Sequence, residues 1–266
     1  MSYGPRPWIQ LHWDVRAALN FIFGGTGCGF ILFSAFVPLS PRLAQGALLL
    51  GLALVAAGLT AVWMEIGRKL RAAHVFFNPG TSWMTRESYA AVLVFSFGMA
   101  GIFFENSNLI FLGSLSALAF LWCQAQILRA AKGIPAWRAP QVVALIMTTA
   151  LVEGTGLLMI INSDVLLTSL FTAAVIARAF AWSGYRAALT QPPSRAALES
   201  AGKALIQIGT IAPLALVFGG IFVPQAAVLA GIAAIITGWR LKFVLVTRAA
   251  FNQGFALPRL PVRGTR

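Results

Sequence analysis

The sequence predicts an all-α, polytopic membrane protein, a bundle of eight transmembrane helices, and two observations lead to this fold class. Hydrophobic residues make up 59% of the 266-residue chain, whereas charged residues make up only 10%. Soluble domains carry about 25% charged residues, so too few charges remain to cover a water-exposed surface. In addition, apolar stretches of about 20 residues, the length of a bilayer-spanning helix, follow one another almost from end to end. We expect a single integral membrane domain over residues 1–266.

The eight predicted spans use most of the chain and leave short connections. In chain order they are residues 16–36, 46–66, 86–104, 109–128, 141–161, 165–182, 204–221 and 226–246. The second connection, residues 67–85, is too polar to span a membrane and too long for a minimal turn. A proline-containing arm, residues 247–266, follows the last span. Glycines recur within the spans, as in Gly24 to Gly29 and at Gly154, and predict close helix packing in lipid.

The net charge of +13 is distributed unevenly along the chain. Lys and Arg concentrate at both termini, in the even-numbered connections and at the ends of the spans beside them, with Lys242 among them. The connections Glu105-Asn106-Ser107-Asn108 and Asn162-Ser163-Asp164 contain none. Positive residues mark the cytoplasmic side of membrane proteins. The pattern therefore predicts a bacterial inner-membrane protein with both termini and residues 67–85 in the cytoplasm, and it argues against nucleic-acid binding.

Acidic residues stand at the predicted cytoplasmic ends of the first three spans, where lipid makes a charge costly. Asp14 precedes the first span, Glu65 ends the second and Glu87 opens the third. Other titratable or basic residues accompany them: His12, Arg68, His74 and Arg86. One interpretation is a set of interfacial salt bridges, such as Glu65 with Arg68 or Arg86. The other is a pocket that exchanges protons with a lipophilic redox carrier, since buried carboxylates and imidazoles titrate near neutrality.

Glu153 lies near the middle of the fifth span, where a carboxylate must be protonated, paired or facing water. A hydrogen bond to a neighbouring helix and a role in proton movement are both open. If Glu153 acts with Arg178, the chain would be a proton-coupled secondary transporter. A scaffold that only tethers an enzyme is a third possibility.

His12 and His74 are the two histidines of the chain, and both lie outside the predicted spans. Because haem b needs two imidazoles facing each other between helices, we expect no haem in this chain. His, Cys and Asp do not cluster at metal-ligand spacings, so we also predict no metal site. Cys28 and Cys123 fall within spans and are expected to be buried, small hydrophobic residues.

The second connection carries motifs of a known family. It reads Met64-Glu65-Ile66-Gly67-Arg68, then Phe77-Asn78-Pro79, Thr81-Ser82-Trp83-Met84 and Arg86-Glu87. This resembles the membrane anchor subunits of the dimethyl sulfoxide reductase, polysulfide reductase and nitrite reductase type, which have a His/Asp-Leu-Gly-basic-Pro stretch and then Thr-Ser-Trp-x-x-Arg/Asn-Glu. Eight helices and a similar length agree. The chain departs from that pattern in having Glu65 in place of His or Asp, and no Pro after Arg68.

The resemblance implies a haem-free subunit that binds menaquinone or ubiquinone beside an iron–sulfur, ferredoxin-like subunit, which connects it to a molybdopterin catalytic subunit. Glu65 and Glu87 would exchange protons with the quinone, and Arg68 and Arg86 would hold their charge or a quinone oxygen. The other residues implied to line the quinone site are His12, Asp14, His74, Asn78 and Trp83. Because the basic side is predicted to be cytoplasmic, a phenylacetyl-CoA:acceptor oxidoreductase is a fitting case within this family.

Overall fold

The computed structural model describes residues 6–220, 223 and 225–254, and this part of the chain forms eight long helices. In chain order they are α1 (Val15–Ser34), α2 (Pro41–Glu65), α3 (Trp83–Phe103), α4 (Ser107–Ala130), α5 (Gln141–Leu158), α6 (Val165–Ala188), α7 (Pro192–Gly219) and α8 (Gln225–Thr247). The all-helical fold class is confirmed, and each long helix coincides with most of one predicted span.

Seven of these helices are long and apolar enough to cross a membrane, as expected of a multi-pass membrane protein. The exception is α3, which has a sufficient length of 21 residues. Its first turns carry Arg86 and Glu87, and these charges lower its mean hydropathy. The eighth span and the cytoplasmic location of the termini remain predictions.

Several helix boundaries differ from the sequence-based expectation, and two of them have clear local chemical reasons. Helix α7 begins at Pro192 rather than at residue 204, because a proline at the first helical position is preorganised for a helix. Its first turns are polar and therefore carry no hydropathy signal. Helix α3 begins at Trp83, where the Ser82 hydroxyl accepts a hydrogen bond from Thr85 N at 3.3 Å. The connection between α2 and α3 contains a 3₁₀ helix, Lys69–Phe77.

The described parts of both termini lie together at one end of the bundle. An antiparallel bridge joins Ile9 to Phe251, and Gln10 N donates to Ala250 O at 2.9 Å. The described start of the predicted C-terminal arm therefore packs against the chain's own N-terminal segment, while residues 255–266 lie outside the described part. We call this end, with residues 6–14, 66–82, 131–140, 189–191 and 248–254, the basic end of the bundle.

Helix α1 occupies the centre of the bundle. In its apolar stretch 83% of the residues are buried, compared with 33–67% in the six other candidate spans. It contacts α2, α4 and α5. Close approach to α5 depends on two glycines, because a Cβ on Gly154 would overlap the backbone of Gly29 and Phe30. The prediction that glycines serve helix packing is confirmed there. Cys28 and Cys123 are buried, as predicted.

Two long helices contain a π turn at the level of buried polar side chains. The turn in α1 covers Asn20–Gly24, and the turn in α7 covers Gln207–Ile211. A π turn shifts the backbone hydrogen bonds to i→i+5 and is common at functional sites. Here Asn20 O accepts a hydrogen bond from Gln124 Nε2 at 2.9 Å, and Gly209 O accepts one from the Arg178 guanidinium. The two turns thus supply backbone acceptors to side chains that have no access to water.

Candidate functional site

A cavity of about 360 Å³ lies at the basic end, where α1, α2 and α3 meet. Its wall is largely apolar but includes two carboxylates, Glu65 and Glu87, and the amide of Asn20. The complete lining is Trp13, Ala17, Asn20, Phe21, Leu59, Val62, Trp63, Glu65, Ile66, Ala72, Val75, Met84, Glu87, Ser88 and Ile127. We call this space the Glu87 cavity. The arrangement combines an apolar slot with groups that can exchange protons.

Glu87 is the more enclosed of the two carboxylates, with 6% of its surface exposed. Ser82 caps the start of α3, so Glu87 lies in the second turn of this helix. Its side chain forms part of the cavity wall. The Asn20 amide Nδ2 approaches Glu87 Oε1 at 3.4 Å. No Lys or Arg of the described residues forms an ion pair with Glu87. Its carboxyl group is therefore surrounded by amides and apolar side chains rather than paired with a cation.

Glu65 is half-buried at the last position of α2. The adjacent carbonyl, Met64 O, accepts a hydrogen bond from Arg16 Nη1 at 3.2 Å, which joins the ends of α1 and α2. Among the described residues no ion pair joins Glu65 to Arg68 or Arg86, so these two example pairs are not formed. A salt bridge at this end joins Asp14 to Arg16 instead. Glu65 thus connects the cavity to the surface of the basic end.

Asp14 serves as the N-cap of α1 rather than as a cavity residue. Its Oδ1 accepts a hydrogen bond from Arg16 N at 2.7 Å, and its Oδ2 forms an ion pair with Arg16 Nη2 at 2.8 Å. The hydrogen bond from the Arg16 side chain is the main cause that lowers the pKa of Asp14 below its ordinary value. Asp14 therefore holds a negative charge at the helix start, where the macrodipole favours it.

Arg86 holds the second connection in shape. Its guanidinium donates to Pro79 O at 2.8 Å and to Gly80 O at 2.7 Å, and it stacks over the Trp83 ring at 4.2 Å. His74 stays within the same connection, with Nδ1 3.2 Å from Arg71 O. These contacts give the motif of the second connection a structural role beside the cavity.

The other predicted site residues of this region lie at the surface. His12, Arg68 and Asn78 are exposed. The backbone of Asn78 takes part in the turn before α3, since Asn78 O accepts a hydrogen bond from Ser82 N at 3.0 Å. Of the nine predicted site residues, the structure brings Glu65 and Glu87 to one cavity and places the others around it. Their proposed roles in quinone binding remain predictions.

Glu153 belongs to a second polar group, deep in the bundle. Its Oε2 accepts hydrogen bonds from Lys242 Nζ at 2.6 Å and from Thr26 Oγ1 at 2.8 Å, and the Lys242 contact is also an ion pair. The Trp239 indole Nε1 donates to the same Thr26 hydroxyl at 2.9 Å. Of the two interpretations left open for Glu153, hydrogen bonding to neighbouring helices is confirmed.

Arg178 lies close to this group but does not bond to Glu153. Its guanidinium donates to Ala234 O at 3.0 Å and to Gly209 O. The predicted Glu153–Arg178 pair is therefore replaced by Glu153–Lys242, with Arg178 held by backbone carbonyls. We call Glu153, Lys242 and Arg178 the buried ion cluster, since none of the three has exposed surface.

Three buried polar residues that sequence reasoning missed join the two sites: Asn20, Gln124 and Lys242. Gln124 bonds to Asn20 O, and its Oε1 lies 3.4 Å from the position that a Cβ of Gly25 would take. The Lys242 ammonium occupies space beside the same glycine. The sequence contains a sign of each of these residues, since a polar side chain within an apolar span is unusual. Asn20 and Gln124 are amides within such spans. Lys242 was counted as a topology charge although it lies inside α8.

A larger cavity of about 510 Å³ lies between α6 and α7 at the same end. It is lined by Arg186, Arg195 and Lys203, and by Glu199, whose carboxylate pairs with Lys203 at 3.0 Å on the surface. It contains no buried carboxylate and no residue of the family-like motifs. The smaller cavity is therefore the better candidate for chemistry.

The fold and the site define a multi-pass helical protein with a cavity at the basic end whose wall includes the buried carboxylate of Glu87. No protein-family model and no curated protein matches the sequence. The family resemblance consequently depends on the motifs of the second connection and on the predicted number of helices and chain length.

Proposed function

We propose that this chain is a haem-free, quinone- or quinol-binding membrane subunit of a multi-subunit oxidoreductase in the bacterial inner membrane. The observation that carries the proposal is the cavity that Glu65 and Glu87 share. A quinone requires an apolar slot for its ring and tail, polar groups near its oxygens and a route for protons to water. The largely apolar wall of the cavity, its carboxylates and the half-buried position of Glu65 support these three requirements.

The residues of the cavity fit such a ligand. Its volume of about 360 Å³ lies within the range of small-molecule pockets, roughly 300–1,000 Å³. Trp13 and Trp63 supply flat apolar walls, and Asn20 supplies a neutral donor. A bound quinone would supply two-electron chemistry that takes up two protons. Glu87 would hold a proton at the cavity wall, and half-buried Glu65 would exchange it with water at the surface.

The electron partner would sit against the basic end. Exposed Arg68, Lys69 and Arg71 favour an acidic partner surface there. By the family resemblance, that partner is an iron–sulfur subunit joined to a molybdopterin subunit. With the basic end in the cytoplasm, the substrate is cytoplasmic too, and phenylacetyl-CoA oxidation is one such reaction.

Filling the cavity tests quinone binding directly. In Ser88→Trp, the indole would occupy the cavity and should lower quinone retention by the purified chain in lipid nanodiscs about tenfold or more, as expected when a pocket is blocked. Ser169→Trp is the matched control, because both hydroxyls bond to the carbonyl four residues earlier and Ser169 lies outside the cavity. Equal retention by the two variants would refute binding in this cavity.

The proton roles require the assembled complex. We expect Glu65→Gln and Glu87→Gln to slow quinone-linked turnover, whereas Glu199→Gln, which removes an exposed carboxylate at the same end, should not. Unchanged rates in both cavity variants would remove the proposed proton roles. Quinone-independent activity would favour a simple tether, and substrate flux by the chain alone in vesicles would favour the transporter.

A further inference from the structure

The buried ion cluster brings charges from three helices together out of reach of water. Helices α5 and α8 run in opposite directions, and each Cβ leans toward the N-terminus of its helix. The side chains of Glu153 and Lys242 therefore approach each other from opposite ends of the bundle. Glycines leave the necessary space, since Glu153 Oε1 lies only 2.6 Å from where a Cβ of Gly238 would be. The absence of a side chain at Gly238 therefore contributes to this contact, in addition to the two charged side chains.

The charges of this cluster do not balance. Arginine remains protonated in proteins, so Arg178 and a charged Lys242 together exceed the single carboxylate of Glu153 by one positive charge. An excess charge surrounded by apolar helices is costly. Loss of one proton from Lys242 would leave the cluster neutral. The groups that face Lys242 are Glu153, Arg178 and the Cys28 thiol of α1. One proton therefore decides whether the cluster carries a net charge.

A line of buried amides leads from the cluster to the Glu87 cavity. Gln124 Oε1 and the Lys242 ammonium lie on the same side of Gly25, and Gln124 Nε2 bonds to Asn20 O. Asn20 in turn approaches Glu87 in the cavity wall. Four buried polar atoms have no protein partner among the described residues, and all belong to this line or to the cluster: Asn20 Oδ1, Gln124 Oε1, Glu153 Oε1 and Arg178 Nε.

Their concentration along one line is informative, because buried polar atoms are nearly always hydrogen-bonded to protein or to internal water. Unpartnered acceptors and a donor on one polar line favour water molecules between them. Such waters would turn separate side chains into a continuous hydrogen-bonded path.

We propose that Lys242 and Glu153 form a proton-binding site inside the bundle, which exchanges its proton with the Glu87 cavity through Gln124 and Asn20. An N–H bond breaks at Lys242 Nζ, the proton passes along water held by the two amides, and an O–H bond forms at the Glu87 carboxylate. The reverse steps reload Lys242. Charge moves from the cluster to the cavity wall with no change of redox state, so the step needs no further reactant. The site depends on the cavity but not on which molecule occupies it.

Lysine nitrogen NMR on the full chain in lipid nanodiscs tests this site. The chain has four lysines, and Lys69, Lys132 and Lys203 are exposed, so the signal of Lys242 should be distinct. We expect that signal to titrate and its protons to exchange with solvent. Gln124→Leu should slow the exchange about tenfold, since one hydrogen-bonding link is lost. Gln126→Leu, a buried amide on the same helix outside the line, should leave it unchanged.

If Gln124→Leu fails to fold, Asn20→Ala interrupts the proposed path at a second position. A Lys242 signal that never titrates, with the same exchange rate in Gln124→Leu and Gln126→Leu, would make the pair a static ion pair and overturn the proposal. Quinone retention by Gln124→Leu should be normal. Loss of the proton path and loss of quinone binding are thus distinguishable.

Discussion

Glu87 and Glu153 are both buried carboxylates, but their surroundings differ. Glu153 has Lys242 Nζ at 2.6 Å and Thr26 Oγ1 at 2.8 Å, which fix its position. Glu87 has an amide at 3.4 Å and a cavity beside it. The deep site is therefore bound tightly into the fold, whereas the site at the basic end keeps space for a ligand. The same residue type is held by an ion pair in one place and borders an open cavity in the other.

The largest effect should come from removing one partner of the buried Glu153–Lys242 pair. Lys242→Met leaves Glu153 buried without its cation, and removal of one partner of a buried pair costs about 3–5 kcal/mol. We expect a corresponding fall in the free energy of unfolding in mixed micelles. Lys203→Met, which removes only the exposed pair with Glu199, should have a much smaller effect.

The double variant Lys242→Met/Glu153→Gln sharpens this comparison, because a loss of stability smaller than the sum of the two single losses measures the coupling between the paired groups. If Lys242→Met were as stable as Lys203→Met, the buried Glu153–Lys242 pair would contribute no more to stability than the exposed pair, which would contradict this comparison.

The next largest effect concerns the backbone contact beside the deep site. A Cβ at Gly154 would overlap the backbone of Gly29 and Phe30, so Gly154→Ala should lower the free energy of unfolding by about 1–3 kcal/mol. Gly184→Ala is the control, because no atom lies within 4 Å of a Cβ there. In that variant alanine should raise helix stability by up to about 1 kcal/mol. Thermal unfolding of both variants measures the difference, and equal shifts would contradict close packing of α1 on α5.

These sites show which features a sequence can predict. Helix positions follow from apolar runs, because lipid requires each spanning segment to be apolar and internally hydrogen-bonded. The neighbourhood of Glu65 and Glu87 could be predicted as well, since both stand at span ends at the same depth. The Glu153–Lys242 pair could not, because it depends on which helices are neighbours and how each is rotated. The mean hydropathy of a segment does not tell which helices are neighbours or how each is rotated. In the sequence, the charge of Lys242 fits the pattern of positive residues on the predicted cytoplasmic side.

A smaller effect is expected at the rim of the Glu87 cavity. Arg86→Lys removes a planar group that binds Pro79 O and Gly80 O together and stacks on Trp83. Losing about 1 kcal/mol of such contacts should make chymotrypsin cleave the connection 66–82 several times faster. Arg68→Lys alters an exposed arginine of the same connection and should not change the rate. Equal cleavage of both variants would show that Arg86 does not hold the connection.

The smallest effect should arise at Asp14, the charged cap beside the cavity. Asn also caps helices well, so Asp14→Asn removes the charge while keeping the cap. Because Arg16 lowers the pKa of Asp14, the ionised carboxylate stabilises the start of α1 above its ordinary pKa, and this stabilisation is lost as pH falls through the lowered value. Hydrogen exchange of the Arg16 amide should be faster in the variant at neutral pH and equal to that of the wild type in acid. A difference that persists in acid would mean that the hydrogen bond, and not the charge, holds this helix start.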